Sequence, residues 1–443
     1  MKKPSFYANV AWIVDPGTSN KYFTWIFDPC YGTRNITRIV DPGTSISPMN
    51  LKNAVLTCPL QGNFKDNLML VNGKPQRTIW LNSEDQSVLI LDQTQLPHHV
   101  YIQSLQNVQA CALAIAEMQV RGAPLIGAAG AYGMYLAMRE DASDKNIDFA
   151  YELLLKTRPT AVNLRWALNQ CRHKLINTAI SERMHCALKL ATEIADDDAR
   201  INFQLGRYTA QILQDIWERR KHSADRLNIL THCNAGWLAT VDWGTALSGV
   251  YQAALNNIPL HVWVDETRPR NQGASLTAWE LKQQNIPHTV IVDNAGGHLM
   301  QHGQVDCCIV GTDRTTARGD VCNKIGTYLK ALSAFDNNIP FYVAAPASSI
   351  DFQIENGLTE IEIEERGHDE IALMKGRDEQ GNLVTISILP DNTVTKNYGF
   401  DVTPAKYITA IITERGVCNA SKEGLKKLFP EHYKDNQHAE SMV

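Results

Sequence analysis

No run of 18 apolar residues occurs in the 443-residue chain, so no membrane-spanning helix is indicated. The ten cysteines show no C-x-x-C spacing and the thirteen histidines no H-E-x-x-H, which leaves the common zinc motifs without ligands. Ten cysteines are also too few for a disulfide scaffold of this length, and reduced thiols in a cytoplasmic protein are the expectation. The absence of a G-x-x-x-x-G-K-[ST] loop argues against a P-loop nucleotide hydrolase. Excess charge is lacking too. A formal net charge of -5 gives bulk electrostatics no reason to draw nucleic acid or an anionic membrane, although a few arginines can still hold a small anion. The start, MKKPSFYANVAWIVDPG, is basic, but its short apolar part is broken by Asp15 and Pro16, so no secretory signal is expected.

What the chain does hold begins with a repeat. IVDPGTS starts at Ile13 and again at Ile39, with IFDPCYG between them at Ile26. A period of 13 is short for a solenoid, and Asp-Pro-Gly is turn chemistry. One reading is a small β-rich binding extension. The plainer reading, favoured here, is a leader over 1–68 outside the fold, and a chain starting at Met69 is expected to keep its activity. From Arg77 the texture changes. Residues 77–80 and 87–91 read as paired strands, and 104–139 and 146–219 as helices interrupted at Pro124 and Pro159. From 227 onward short apolar strands at 227–230, 260–264, 288–292, 306–310 and 341–345 alternate with helix-length segments such as 273–285 and 321–337. This is the pattern of an α/β protein. The expected architecture is a mostly helical N-terminal domain with a short β-sheet over 69–222, then a Rossmann-like domain with a mainly parallel sheet over 223–420. A charged C-terminal tail over 421–443 is expected to be partly frayed.

In open α/β sheets ligands bind beyond the carboxyl ends of the strands. Cys233 follows the first strand. Asp265 to Pro269 and then Gln272 follow the second, and Asp313 follows the fourth, with Asn323 and Lys324 beyond it. Singly each is weak: a lone Cys is commonly a small buried hydrophobe, and an Asp after a strand is commonly a cap or turn residue. Their shared position is the signal. His232 adjoins Cys233, but neighbours on a strand end point to opposite faces, so a Cys–His nucleophile pair is disfavoured. Arg121-Gly122-Ala123-Pro124 sets a guanidinium beside open backbone N–H groups at a helix start, which suits phosphate, and Arg158 offers a second cation. Gly127, Gly130 and Gly133 read more simply as a helix face packed closely on a neighbour.

RGAPLIGAAGAYG (121–133), RPTAVNL (158–164), THCNAGWLATVDWGTAL (231–247), ETRPRNQGASLTAWEL (266–281) and GTDRTTARGDVCNKIGTY (311–328) resemble the methylthioribose-1-phosphate isomerase family. Its fold is shared with regulatory subunits of translation initiation factor 2B. The likeness runs from about Arg77 to Val417, and FYVAAPASSID (341–351) and GFDVTPAKYITAIIT (399–413) extend it. It implies isomerisation of 5-methylthioribose 1-phosphate to 5-methylthioribulose 1-phosphate in methionine salvage, with no metal or organic cofactor. Carried over by motif, Cys233 and Asp313 match the catalytic pair. Arg121, Gly122, Ala123, Arg158, Gln272, Asn323 and Lys324 match substrate-binding positions. The anomeric oxygen of this substrate carries phosphate, so its ring opens only by acid catalysis. Asp313 would protonate the ring oxygen, and Cys233 would shuttle a proton from C2 to C1 or stabilise charge during a hydride shift. Trp237 and Asn397-Tyr398-Gly399 depart from the family pattern, away from the catalytic pair. The likeness also implies a homodimer. Two other readings stand beside it: a ribose 1,5-bisphosphate isomerase, and a non-catalytic translation-factor subunit. Subunits of the latter kind typically lack the Cys and Asp.

Overall fold

The structure, a computed structural model, describes residues 69–433 apart from Thr160, together with three strands nearer the start. Those strands are β1 (Val10–Val14), β2 (Lys21–Trp25) and β3 (Arg38–Ile39), paired antiparallel in the order β1-β2-β3. They belong to a unit of their own, Met1–Val55, and the repeat holds strands there; the rest of the expected leader lies outside the described residues.

The second unit opens with the hairpin β4 (Leu70–Val71) and β5 (Lys74–Pro75), turned by Asn72-Gly73 with both φ angles positive. The pair expected near 77–91 is β6 (Ile79–Leu81) and β7 (Val88–Leu91), and a third strand, β8 (Ile102–Leu105), joins it. Helix therefore starts later than the expected residue 104. Asn107 caps α1 (Val108–Ala116) through its side chain. Gly122 then precedes α2 (Ala123–Glu140), with Pro124 in its first turn, where a missing N–H costs nothing. α2 is buried nearly all round, as its Ala- and Gly-rich sequence allows. α3 (Asp144–Thr157), α4 (Val162–Ile176) and the 38-residue α5 (Arg183–Arg220) complete the helical part. A methyl at Gly130 would meet Leu164 Cδ1 at 2.6 Å and one at Gly127 the Asn163 carbonyl at 3.1 Å, so the glycine face is a packing face, as expected.

The alternating part follows: β9 (Leu227–Thr231), α6 (Ala246–Leu255), β10 (Leu260–Asp265), α7 (Ala278–Gln283), β11 (His288–Ile291), α8 (Ala295–Gln301) and β12 (Cys307–Val310). After them come β13 (Arg314–Thr316), β14 (Val321–Lys324), α9 (Thr327–Asp336), β15 (Phe341–Ala344), β16 (Ile350–Asp351), α10 (Gly357–Glu360) and α11 (Asp369–Ala372). The hairpin β17 (Leu373–Arg377) and β18 (Leu383–Ser387) follows, then β19 (Phe400–Thr403), β20 (Ala410–Thr413), β21 (Gly416–Cys418) and α12 (Lys422–Leu428). The main sheet runs β11-β10-β9-β12-β15-β20-β21 and is parallel except for the last pair. Its central strands are apolar runs because both faces are covered: α5 and α6 lie over one face, and α8, α9 and α12 over the other. The strand order reverses at β9 and β12, which puts a crevice beyond their carboxyl ends.

Two further expectations change. Residues 321–337 do not begin as helix: Val321–Lys324 pair antiparallel with Phe400–Thr403 in a second sheet, β16-β13-β14-β19, and helix starts only after left-handed Gly326. The segment after Ser421 is not frayed at its start. Ser421 caps α12, and Leu425 and Phe429, one helical turn apart, are wholly buried; charge content hid that spacing.

Candidate functional site

The corner after β9 is strained. Cys233 has a φ of 65°, unusual for a residue with a Cβ. It is held from both sides: its N–H donates to Thr267 Oγ1 at 2.8 Å, and its carbonyl accepts from Thr277 Oγ1 at 2.7 Å. The buried sulfur lies 3.4 Å from Gln272 Oε1. Burial pushes the thiol up, while Arg121, Lys324 and the Asn234 N–H oppose it. His232 turns the other way, as strand alternation requires. Its Nδ1 meets Asp265 Oδ2 at 2.7 Å and its Nε2 the Ile325 carbonyl at 2.8 Å. Asp265 and Asp293 make with His232 the one group of metal-ligand type among the described residues. The Lys330 ammonium already stands there, 3.1 Å from Asp265 Oδ2 and bonded to the Asp293 carbonyl.

Asp313 follows β12 and is pinned by its N–H to the Cys322 carbonyl, 3.0 Å away. Burial pushes its carboxyl up, and Lys324, Arg121 and Arg158 pull it back. Lys324 comes from β14, buried, with its ammonium 4.6 Å from the centre of the Phe400 ring. Burial lowers its pKa, and Cys233 and Asp313 resist that shift. Arg158, the residue that ends α3, reaches Glu364 Oε2 at 3.3 Å. Gly122, Ala123, Arg158, Asp313, Glu364 and Phe400 line a cavity of about 310 Å³. Arg121 and Gln272 line its neighbour of about 500 Å³, whose walls include apolar Leu96, Met118, Leu276 and Met374. A larger cavity, near 660 Å³, opens at the amino ends of β10 and β11, away from these groups.

The residues expected from sequence thus converge, with one exception. The Asn323 amide donates to Thr327 Oγ1 at 3.0 Å, on the opposite face of β14 from Lys324. Trp237 packs beneath the corner against Trp279, and the Asn397 amide bonds Glu370. Several site residues had not been singled out. Asn234 holds Arg121, and the buried Glu280 accepts from the Asn234 amide. An ionic chain runs Arg158–Glu364–Arg366–Glu370–Arg270 around the cavity rim. Glu280 stands eight positions after Gln272, the same face of a helix, which is the one sequence signal it offered.

A cysteine, a carboxylic acid and three cations at the switch point of an α/β sheet define a site for an anionic small molecule. The model of the initiation factor 2 subunit family matches residues 119–420. The methylthioribose-1-phosphate isomerase of Paramagnetospirillum magneticum is 56% identical over 363 residues, 82% of this chain and 99% of the relative. The isomerase of that name from Escherichia coli O45:K1 is 55% identical over 363 residues, 82% of this chain and 97% of the relative. Among solved structures, 5-methylthioribose 1-phosphate isomerase from Pyrococcus horikoshii aligns with a TM-score of 0.70 and 40% identity, covering 81% of this chain and 97% of that one. Translation initiation factor eIF-2B, subunit delta, from A. fulgidus aligns with a TM-score of 0.67 and 38% identity, covering 80% and 99%. The chain belongs to the initiation factor 2 subunit family and, within it, to the methylthioribose-1-phosphate isomerases.

Proposed function

We propose that this protein converts 5-methylthioribose 1-phosphate to 5-methylthioribulose 1-phosphate in methionine salvage, with Asp313 and Cys233 as its acid–base pair. The observation that carries this reading is that Arg121 and Lys324 both act electrostatically on Cys233 and on Asp313. In this reading Arg121, Arg158 and Lys324 bind the phosphate, and Arg158 exchanges Glu364 for it. Gly122 and Ala123 bring α2 to the anion, and Gln272 steers the sulfur.

Asp313, its carboxyl raised by burial, carries a proton toward neutral pH and delivers it to the ring oxygen. The C1–O bond of the ring breaks, and the phosphate oxygen stabilises the resulting cation at C1. Cys233, as thiolate, removes the C2 proton to give an enol. The thiol, after exchange with solvent, delivers a proton to C1 as the C2 hydroxyl gives its own to the Asp313 carboxylate, leaving the ketone. The cations hold the phosphate against elimination and favour the thiolate. The protein works as a cytoplasmic homodimer; among the described residues no helix is long and apolar enough to cross a membrane.

The test is turnover by purified protein of methylthioribose 1-phosphate and of ribose 1,5-bisphosphate, with product identified by NMR in D2O. Ketose formation from the first sugar, with deuterium at C1, is expected. No turnover would favour the translation-factor reading, the name that the A. fulgidus structure carries. Preference for the bisphosphate would reassign the substrate.

A further inference from the structure

The Arg121 guanidinium does not stand free. Its Nη1 donates to Asn234 Oδ1 at 2.5 Å and its Nη2 to the Asn234 carbonyl at 3.0 Å, so one residue grips both arms of the fork. Which end of the Asn234 amide faces Arg121 therefore matters. An oxygen accepts from the guanidinium; an NH2 group would oppose it donor to donor.

The other end of that amide is fixed by two acceptors on one helical segment. Asn234 Nδ2 donates to Thr277 Oγ1 at 3.1 Å and to Glu280 Oε1 at 2.8 Å. Thr277 has already given its own proton to the Cys233 carbonyl, so toward Asn234 it can only accept. Glu280 Oε2 accepts from the Leu238 N–H at 3.1 Å, so both of its oxygens are committed as acceptors. Glu280 is wholly buried, and Gly236 leaves room for it: a methyl there would sit 1.6 Å from Oε1. A buried acid is costly, and packing alone would be served by Leu or Met. Every donor and acceptor in the series has one direction.

We propose that Glu280, acting with Thr277 through Asn234, is the positioning residue that aims Arg121 at the substrate phosphate. This rests on the proposed function, which makes Arg121 a phosphate ligand. Glu280 touches no substrate in this scheme. It ties the helical segment carrying Gln272, Thr277 and Glu280 to the corner carrying Cys233, so the anion clamp and the thiol share one frame.

The experiment is a double-mutant cycle on the full chain. In Glu280→Gln an amide replaces two acceptors by one, so either Asn234 Nδ2 or the Leu238 N–H faces another donor. KM for methylthioribose 1-phosphate should rise about tenfold, the factor that weakening a charge-assisted hydrogen bond carries, with kcat little changed. In an Arg121→Ala background the same change should add nothing further to KM. An unchanged KM in well-folded Glu280→Gln, or effects that simply add, overturns the proposal. If Glu280→Gln does not give a native melting transition, Asn234→Ala takes its place in the same cycle, and a wild-type KM there overturns the proposal equally. Inorganic phosphate separates this failure from failure of the proposed function. Should the wild type not turn over the sugar, phosphate should still raise its melting temperature, less in Glu280→Gln and least in Arg121→Ala. A wild type that phosphate does not stabilise overturns both.

Discussion

Gly122→Ala tests how the site is built without touching a reacting group. Gly122 has a φ of 92° and precedes the first turn of α2, directly after Arg121. Two costs arise. A side chain at that φ stores about 1–3 kcal/mol of backbone strain. The added methyl would also lie 2.3 Å from the Ala239 carbonyl oxygen and 2.5 Å from its Cα, backbone atoms with no rotamer to give way. Overpacking of that kind costs about 1–3 kcal/mol more. The sum, roughly 2–6 kcal/mol, should lower Tm by roughly 5–20 °C, taking about 2–4 °C per kcal/mol for domains of this size. Gly73→Ala is the control: its φ is 76°, but nothing lies within 4 Å of the new methyl. It should show the strain alone, about half the loss. KM should rise in Gly122→Ala, because relief of the clash moves Arg121, and stay put in Gly73→Ala. Differential scanning fluorimetry and steady-state kinetics read both. Equal losses for the two variants, or a wild-type KM in Gly122→Ala, would refute the reasoning.

Cys233→Ser and Asp313→Asn should fold and lose most turnover, the latter more, since an amide has no carboxylic proton to give; near-wild-type rates in either remove that residue from the mechanism. Arg121→Ala should raise KM strongly, for a charge-assisted contact worth about 1.5–3 kcal/mol, and Arg158→Ala less, because Arg158 must first release Glu364; an unchanged KM in both places the phosphate elsewhere. With Asp313 and Cys233 both raised by burial, kcat/KM should be bell-shaped in pH, and the residual rate of Asp313→Asn should instead rise through the thiol pKa and level off. A bell retained in that variant sinks the assignment. Burial lifts Asp242 to about 7, so the folded chain binds a proton that the unfolded chain has lost between its ordinary 3.8 and that value. Asp242 should therefore take away up to about 1.4 kcal/mol of stability per pH unit as pH rises across that window, and Asp242→Asn should make the curve measured by urea melts shallower by that share.

Periodicity and composition are local properties, and they carried the local part of this protein. The apolar runs of β9, β10, β12 and β15 read as buried parallel strands because both of their faces are covered, and the carboxyl-end rule then pointed to Cys233 and Asp313. Long motifs supplied the family and its candidate ligands. Local pattern misled where a few residues answer to distant partners. Val321–Lys324 is strand because Phe400–Thr403 lies beside it, and Leu425 and Phe429 leave a charged segment for the core. Only the tertiary structure could show that Asn323 faces away from Lys324, that Glu364 pairs with Arg158, and that Glu280 is linked through Asn234 to an arginine 159 positions earlier in the chain. Sequence spacing says nothing of the direction of a hydrogen bond. That direction is decided where buried donors and acceptors meet, because each one left unpaired away from water costs more than its contact gains.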